Sequence, residues 1–96
     1  MILSFEEGTE DVFNRSNTRA ARAVCPESLW PVARRKLDQL NAAEELRDLA
    51  APPGNRLEAL KGDRKGQHSV RVNERYRICF RWTQEGAGAV EIVDYH

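Results

Sequence analysis

The chain changes its hydrophobic rhythm near the middle. Before residue 52 apolar side chains recur at intervals of three and four; beyond residue 56 they alternate with polar ones. The clearest helical stretch begins at Glu27. There Trp30, Ala33, Leu37 and Leu40 share one face, while Arg34, Arg35, Lys36 and Asp38 take the others. Pro26 or Pro31 suits its first turn, where a missing amide hydrogen costs least, and Ser28 is a candidate cap. A second helical pulse over residues 42–49 ends before Pro52-Pro53-Gly54-Asn55, which blocks a helix and favours a turn. Upstream, residues 1–5 are apolar enough for a strand, and residues 6–13 read as a short helix with acids in its first turn. Residues 14–18 read as a loop, with Thr18 placed to cap the next turn of the chain.

Downstream of the Pro-Pro-Gly-Asn turn the period is two. Residues 56–60 predict a strand and residues 62–66 a polar turn. His68, Val70 and Val72 then face one way, and Ser69, Arg71 and Asn73 the other. In the next strand Tyr76, Ile78, Phe80 and Trp82 line one face, opposite Arg77, Cys79 and Arg81. A turn over residues 84–88 leads to a last strand over residues 89–95. The expected fold is α+β: an antiparallel or mixed sheet of about four to five strands on two to three N-terminal helices. Helix packing takes the apolar face, so the arginines collect on the other.

A length of 96 residues predicts one domain with a modest core, and 41% hydrophobic with 31% charged residues matches an ordinary soluble protein. Met1-Ile2-Leu3-Ser4-Phe5 runs directly into Glu6 and Glu7, unlike a secretory signal, and no apolar run is long enough to span a membrane. A cytoplasmic location is therefore expected. Cys25 and Cys79 are far apart and only His68 and His96 accompany them, so neither a disulfide framework nor a metal or cofactor site is expected. Net charge is zero, yet residues 56–82 hold eight basic against three acidic side chains. Such asymmetry fits a basic patch that meets phosphates on an otherwise acidic body.

A guanidinium-rich sheet face suits the RNA backbone, because each fork binds phosphate bidentately. Cleavage asks for more: a group for the ribose 2′-hydroxyl, charge stabilisation, and a proton for the leaving oxygen. Asp94-Tyr95-His96 supplies titratable groups, and Lys61 with Arg64 or Lys65 can approach from the preceding turn. Asp94 and, where the chain ends, the adjacent carboxylate favour a protonated His96 suited to a general-acid role. His68, Trp30, Trp82 and Tyr76 follow core parity and call for no binding role.

The order of these segments is itself distinctive. Arg47-Asp48-Leu49, then residues 53–62 from Pro-Gly-Asn to Leu-Lys-Gly, residues 67–73, Tyr76-Arg77-Ile78-Cys79-Phe80 and Val93-Asp94-Tyr95-His96 together resemble the HigB group of the RelE/ParE toxins over nearly the whole chain. That resemblance implies a compact RelE-like fold and a toxin neutralised by a helix-turn-helix antitoxin of HigA type, through which operator DNA is met. It also implies ribosome-dependent cleavage of mRNA in the A site without a metal, leaving a 2′,3′-cyclic phosphate and a 5′-hydroxyl. By position, Lys61 and Arg77 would neutralise phosphate, Asp94 would orient its neighbours, Tyr95 would stack on or orient a base, and His96 would move the proton. Arg64, Lys65, Arg71 and Arg81 would follow the RNA backbone. Glu58 stands where many members of the group have histidine, which leaves the general base unassigned. Two rivals share the basic face: a ParE-like gyrase poison, which should not require the terminal histidine, and a nucleic-acid-binding co-repressor module without catalysis.

Overall fold

The computed structural model describes residues 1–95. Three helices, α1 (Thr9–Phe13), α2 (Arg19–Val24) and α3 (Trp30–Ala42), precede strands β1 (Glu58–Ala59), β2 (His68–Arg71), β3 (Tyr76–Thr83) and β4 (Gly86–Asp94). The strands form an antiparallel sheet in the order β1-β2-β3-β4. This is an α+β arrangement consistent with a RelE-like fold.

α3 is the helix expected from periodicity, and Trp30, Ala33, Leu37 and Leu40 are all buried along it. They join Val70, Val72, Ile78, Phe80, Val90 and Ile92 from the sheet in one apolar cluster. Pro31 occupies the first turn as predicted. Ser28 does not cap it: Glu27–Leu29 forms a short 3₁₀ turn that feeds into α3, and no side-chain cap is made. Thr18 does act as a cap, on α2. Its Oγ1 accepts from the Ala21 amide at 3.0 Å and donates to Asp11 at 2.7 Å, joining α1 to α2.

Several expected elements are shorter than their patterns. The pulse over residues 42–49 contributes only a 3₁₀ turn, Leu46–Leu49, because the backbone is extended at Ala43 and Glu45 and Asp48 form a reciprocal capping box. Backbone hydrogen bonds from Glu45 and Glu44 hold the Asp48 carboxyl below its ordinary range. The helix expected over residues 6–13 begins only at Thr9. Thr9 is fully buried, and its hydroxyl accepts the Ile92 amide at 3.0 Å, tying α1 to β4. The first five residues run parallel to β4 in two isolated bridges, Ile2 to Ala87 and Phe5 to Val90, rather than as a continuous strand. Ser4 Oγ breaks the ladder by accepting from the Ala89 amide at 2.8 Å. The approach is close enough that a Cβ on Gly86 would meet the Met1 carbonyl oxygen at 2.1 Å, and Gly86 has φ 142°. β4 accordingly starts at Gly86, three residues earlier than the alternation predicts.

The two halves are joined at Asn55. This side chain is fully buried between α3 and the sheet. It accepts from the Lys36 ammonium and donates to Leu49 O at 3.0 Å and Gln39 Oε1 at 3.3 Å. The backbone carbonyl of Asn55 receives the Arg71 amide of β2 at 2.6 Å. Lys36 is only 5% exposed, and burial, aided by neighbouring Arg35, lowers its pKa from the ordinary 10.5.

Removing the Asn55 side chain strands a buried ammonium, the buried Leu49 carbonyl and the half-buried Gln39 amide oxygen. Asn55→Ala is expected to cost about 3 kcal/mol in urea unfolding, and adding Lys36→Met should recover part of that loss. Because the folded protein binds fewer protons at Lys36 than the unfolded chain does, stability should rise with pH from the lowered value up to 10.5. The rise should be absent in Lys36→Met.

Candidate functional site

The sheet has a second face, away from the helices, and its register brings the relevant side chains together. Glu58, Ser69, Cys79 and Glu91 form one cross-strand row, and Arg71, Arg77 and Val93 form the next. The register is set locally: Asn73 Oδ1 accepts the amides of Arg75 at 2.9 Å and Tyr76 at 2.7 Å, closing the β2–β3 turn. Arg71 and Arg77 are thereby held directly opposite each other, a like-charge pair that a sheet does not favour.

Arg77 is the most constrained of these. Only 12% of its side chain is exposed. Its Nε donates to Ser69 Oγ at 2.6 Å, and one Nη donates to the Arg56 carbonyl at 2.7 Å, leaving Glu58 as an ion-pair partner at 3.7 Å. The Arg56 carbonyl reaches this place because Arg56 has φ 45°, a left-handed conformation costing of order 1 kcal/mol for a non-glycine residue. The alternation expected over residues 56–60 therefore yields only two strand residues. Beside this anchor lies an open cleft of about 410 Å³, lined by Arg56, Glu58, Arg71, Asn73, Glu74, Arg77 and Tyr95. Among the described residues, the guanidinium groups of Arg56 and Arg71 take part in no hydrogen bond or ion pair. Three guanidiniums against two carboxylates give a cationic hollow with a phenol at its rim.

The expected site residues do not all converge. Arg71, Arg77 and Tyr95 meet in the cleft. Arg64 lies further along the face, where it binds Glu91 at 3.2 Å and Gln67 at 3.1 Å. Lys61 and Lys65 flank that 3₁₀ turn, Gly62–Arg64, as exposed side chains outside the cleft lining. Arg81 is separated from Arg77 by a β-bulge between Cys79 and Arg81 and is exposed near Gly66. Asp94 does not line the cleft. Its carboxylate clamps Arg75 bidentately at 2.8 and 2.7 Å, and the Arg75 carbonyl accepts the Tyr95 amide at 2.7 Å, which fixes where Tyr95 leaves β4. His96 lies outside the described residues.

The second face is not uniformly open, as strict alternation implies. Ser69 and Cys79 are fully buried on it, beneath the arginines and Glu91. Burial pushes the Cys79 thiol up, with Arg64 and Arg77 opposing and Glu91 adding to the effect. Cys25 and Cys79 are both free and buried. His68 packs against Phe80 with ring centroids 6.3 Å apart, consistent with a core-side residue. Arg56 and Glu74 join the site through loop geometry, for which a two-residue period carries no signal.

Comparison with known proteins places this architecture. The family model described as the RelE-like toxin of the type II toxin-antitoxin system HigB matches residues 5–96. The chain belongs to the HigB-like toxin family. It is 38% identical to Toxin HigB-1 of Vibrio cholerae over 96 residues, covering 100% of this chain and 98% of that protein. It is also 40% identical over 57 residues to an uncharacterised protein of Haemophilus influenzae, covering 59% of this chain and 56% of that one. As a HigB-like toxin of a toxin-antitoxin system, it has an antitoxin as its partner. No helix among the described residues is long and apolar enough to cross a membrane.

The cleft makes a measurable demand on polyanions. Each phosphate neutralised on single-stranded RNA contributes about 0.7 to the slope of log K against log salt. Arg71→Ala should therefore reduce that slope by about 0.7 in fluorescence anisotropy with a short RNA; an unchanged slope would place RNA elsewhere on the surface.

Proposed function

We propose that this HigB-like toxin is an endoribonuclease that cuts mRNA in the ribosomal A site. The observation that carries the reading is the convergence of Arg56, Arg71 and Arg77 on one cleft with Tyr95 at its edge. A scissile phosphate seated there meets the Arg77 guanidinium already fixed before substrate arrives, and a fixed donor stabilises the developing charge without reorganising. Arg77 serves as the central phosphate ligand, with Arg71 beside it. Tyr95 offers a ring on which a base can stack, a contact that tolerates any base. Lys61, Arg64, Lys65 and Arg81 extend the cationic surface along the RNA.

The reaction is transfer of the phosphorus from the 5′-oxygen to the neighbouring 2′-oxygen, giving a 2′,3′-cyclic phosphate and a 5′-hydroxyl. No metal is required for this intramolecular attack. His96 is assigned the proton donated to the leaving oxygen, and Asp94 with Arg75 holds the segment that bears it. The ribosome contributes by holding the mRNA in a reactive geometry, and ideal positioning of that kind is worth up to roughly 7–11 kcal/mol. The partner is a helix-turn-helix antitoxin of HigA type, which also brings the pair to operator DNA. Residues 1–96 act as a single domain, in the cytoplasm where ribosomes are.

Purified toxin added to translating ribosome–mRNA complexes, with cuts mapped by primer extension, tests the reading. Cuts should require the ribosome, and Arg77→Ala and His96→Ala should each reduce them by at least about 10²-fold. Intact mRNA alongside a toxic wild type would favour gyrase poisoning; intact mRNA with salt-sensitive operator binding by the toxin alone would favour a co-repressor module.

A further inference from the structure

We infer that Glu74 is a base-reading residue of the cleft and selects guanine in the nucleotide that stacks on Tyr95; this rests on the endoribonuclease reading above. The β2–β3 turn presents it. Asn73 Oδ1 accepts the amides of Arg75 and Tyr76, and the Asn73 amide donates to the Tyr76 carbonyl at 3.2 Å, so the backbone on either side of Glu74 is tied down. The Tyr95 amide donates to the Arg75 carbonyl at 2.7 Å, which places the Tyr95 backbone against the residue that follows Glu74. Both side chains line the same hollow. A stacking ring and a carboxylate thus meet one nucleotide from adjoining segments.

The charges of the cleft point to reading rather than affinity. Glu58 faces Arg77 at 3.7 Å, whereas Glu74 is exposed at the mouth and takes part in no hydrogen bond or ion pair among the described residues. A free carboxylate repels the phosphates of every RNA sequence alike. It lowers affinity in general and returns it only to a base that can bond to it, which is how a site discriminates by exclusion.

A carboxylate only accepts hydrogen bonds, and its oxygens lie side by side. Guanine alone among the RNA bases offers neighbouring donors on its Watson–Crick edge, N1–H and the N2 amino group. Adenine and cytosine set a ring-nitrogen lone pair beside their amino group, and uracil flanks its N–H with carbonyl oxygens; each would turn a lone pair toward Glu74. Guanine's remaining edge atom, O6, is an acceptor and suits a hollow whose other unpaired groups, the Arg56 and Arg71 guanidiniums, are donors. Bases splayed from a single strand are recognised in this way, with the face stacked on an aromatic ring and the edge hydrogen-bonded. Tyr95 accepts any base, and Glu74 decides which one is held.

Single-turnover cleavage on ribosome–mRNA complexes whose A-site codons differ only at the bases flanking the cut, measured for wild type, Glu74→Gln and Glu74→Ala, tests this. In wild type, guanine at one of those positions should be cut roughly 10-fold or more faster than adenine. Inosine there, which lacks the N2 amino group, should forfeit most of that advantage. Glu74→Gln should invert the preference, because its amide accepts from the adenine N6 amino group and donates to N1. Glu74→Ala should erase the difference between the bases, with its melting temperature as the check on folding. A merely structural Glu74 would lower all rates together and leave their ratio alone. Equal rates for guanine and adenine in wild type, or the same guanine preference in wild type and Glu74→Gln, would overturn the inference while leaving the ribonuclease reading intact. A wild type that cuts nothing would overturn both.

Discussion

The structure hangs on the buried amide of Asn55. A single residue receives the Lys36 ammonium on its side chain, donates to Leu49 at the end of the helical half, and with its backbone carbonyl holds the Arg71 amide of β2. A polar group sealed from water is costly unless its partners are present, so the side-chain bonds of Asn55 support one another. The consequence reaches the site directly. Arg56 is the next residue in the chain, and its left-handed backbone presents the carbonyl that fixes Arg77. The helix layer and the cationic cleft are thus joined by two consecutive residues.

The cleft itself is built against electrostatic preference. Two arginines face each other across β2 and β3, and a third sits at the mouth of the same hollow. Glu58 relieves this arrangement only partly, at a distance longer than a hydrogen bond. Ser69 does more, since its hydroxyl and carbonyl both receive Arg77 while remaining buried beneath it. Neutral acceptors position the guanidinium without cancelling its charge. An arrangement of this kind keeps a net positive hollow inside a chain whose total charge is zero. Local rules broken in concert at one place are a mark of a site rather than of a scaffold.

Much of the fold was legible in the sequence because burial has a period. α3 shows it in Trp30, Ala33, Leu37 and Leu40, and β3 shows it in Ile78 and Phe80. The shorter elements were less legible because side-chain hydrogen bonds outweigh weak periodicity there. Asp48 and Glu45 convert an expected helix into a 3₁₀ turn, and Ser4 interrupts the N-terminal bridge to β4. α2 has one buried residue, Ala21, too few to form a stripe. At the site, parity brought Arg71 and Arg77 together, whereas Arg81, farther along β3 and past a register shift against β4, does not line the cleft. Arg56 enters through a positive φ, and no hydrophobic pattern encodes that.

The division between fixed and free groups bears on how such a cleft works with a large partner. Arg77 is immobilised by neutral acceptors, while Arg56, Arg71 and Glu74 line the opening with no ion pair among the described residues. An arginine already held in place loses little rotamer freedom when phosphate arrives; the unpaired ones at the mouth lose more. The anchor therefore serves charge stabilisation, and the mouth serves capture. Under the proposed reading the ribosome reduces the second cost by presenting an mRNA that is already bent into place. A toxin with one rigid guanidinium and a loose rim then needs the ribosome for orientation more than for affinity. Free RNA should bind such a surface in a salt-dependent manner and yet be cut poorly, because binding energy at a flexible rim does not by itself bring the 2′-oxygen into line with the bond that must break.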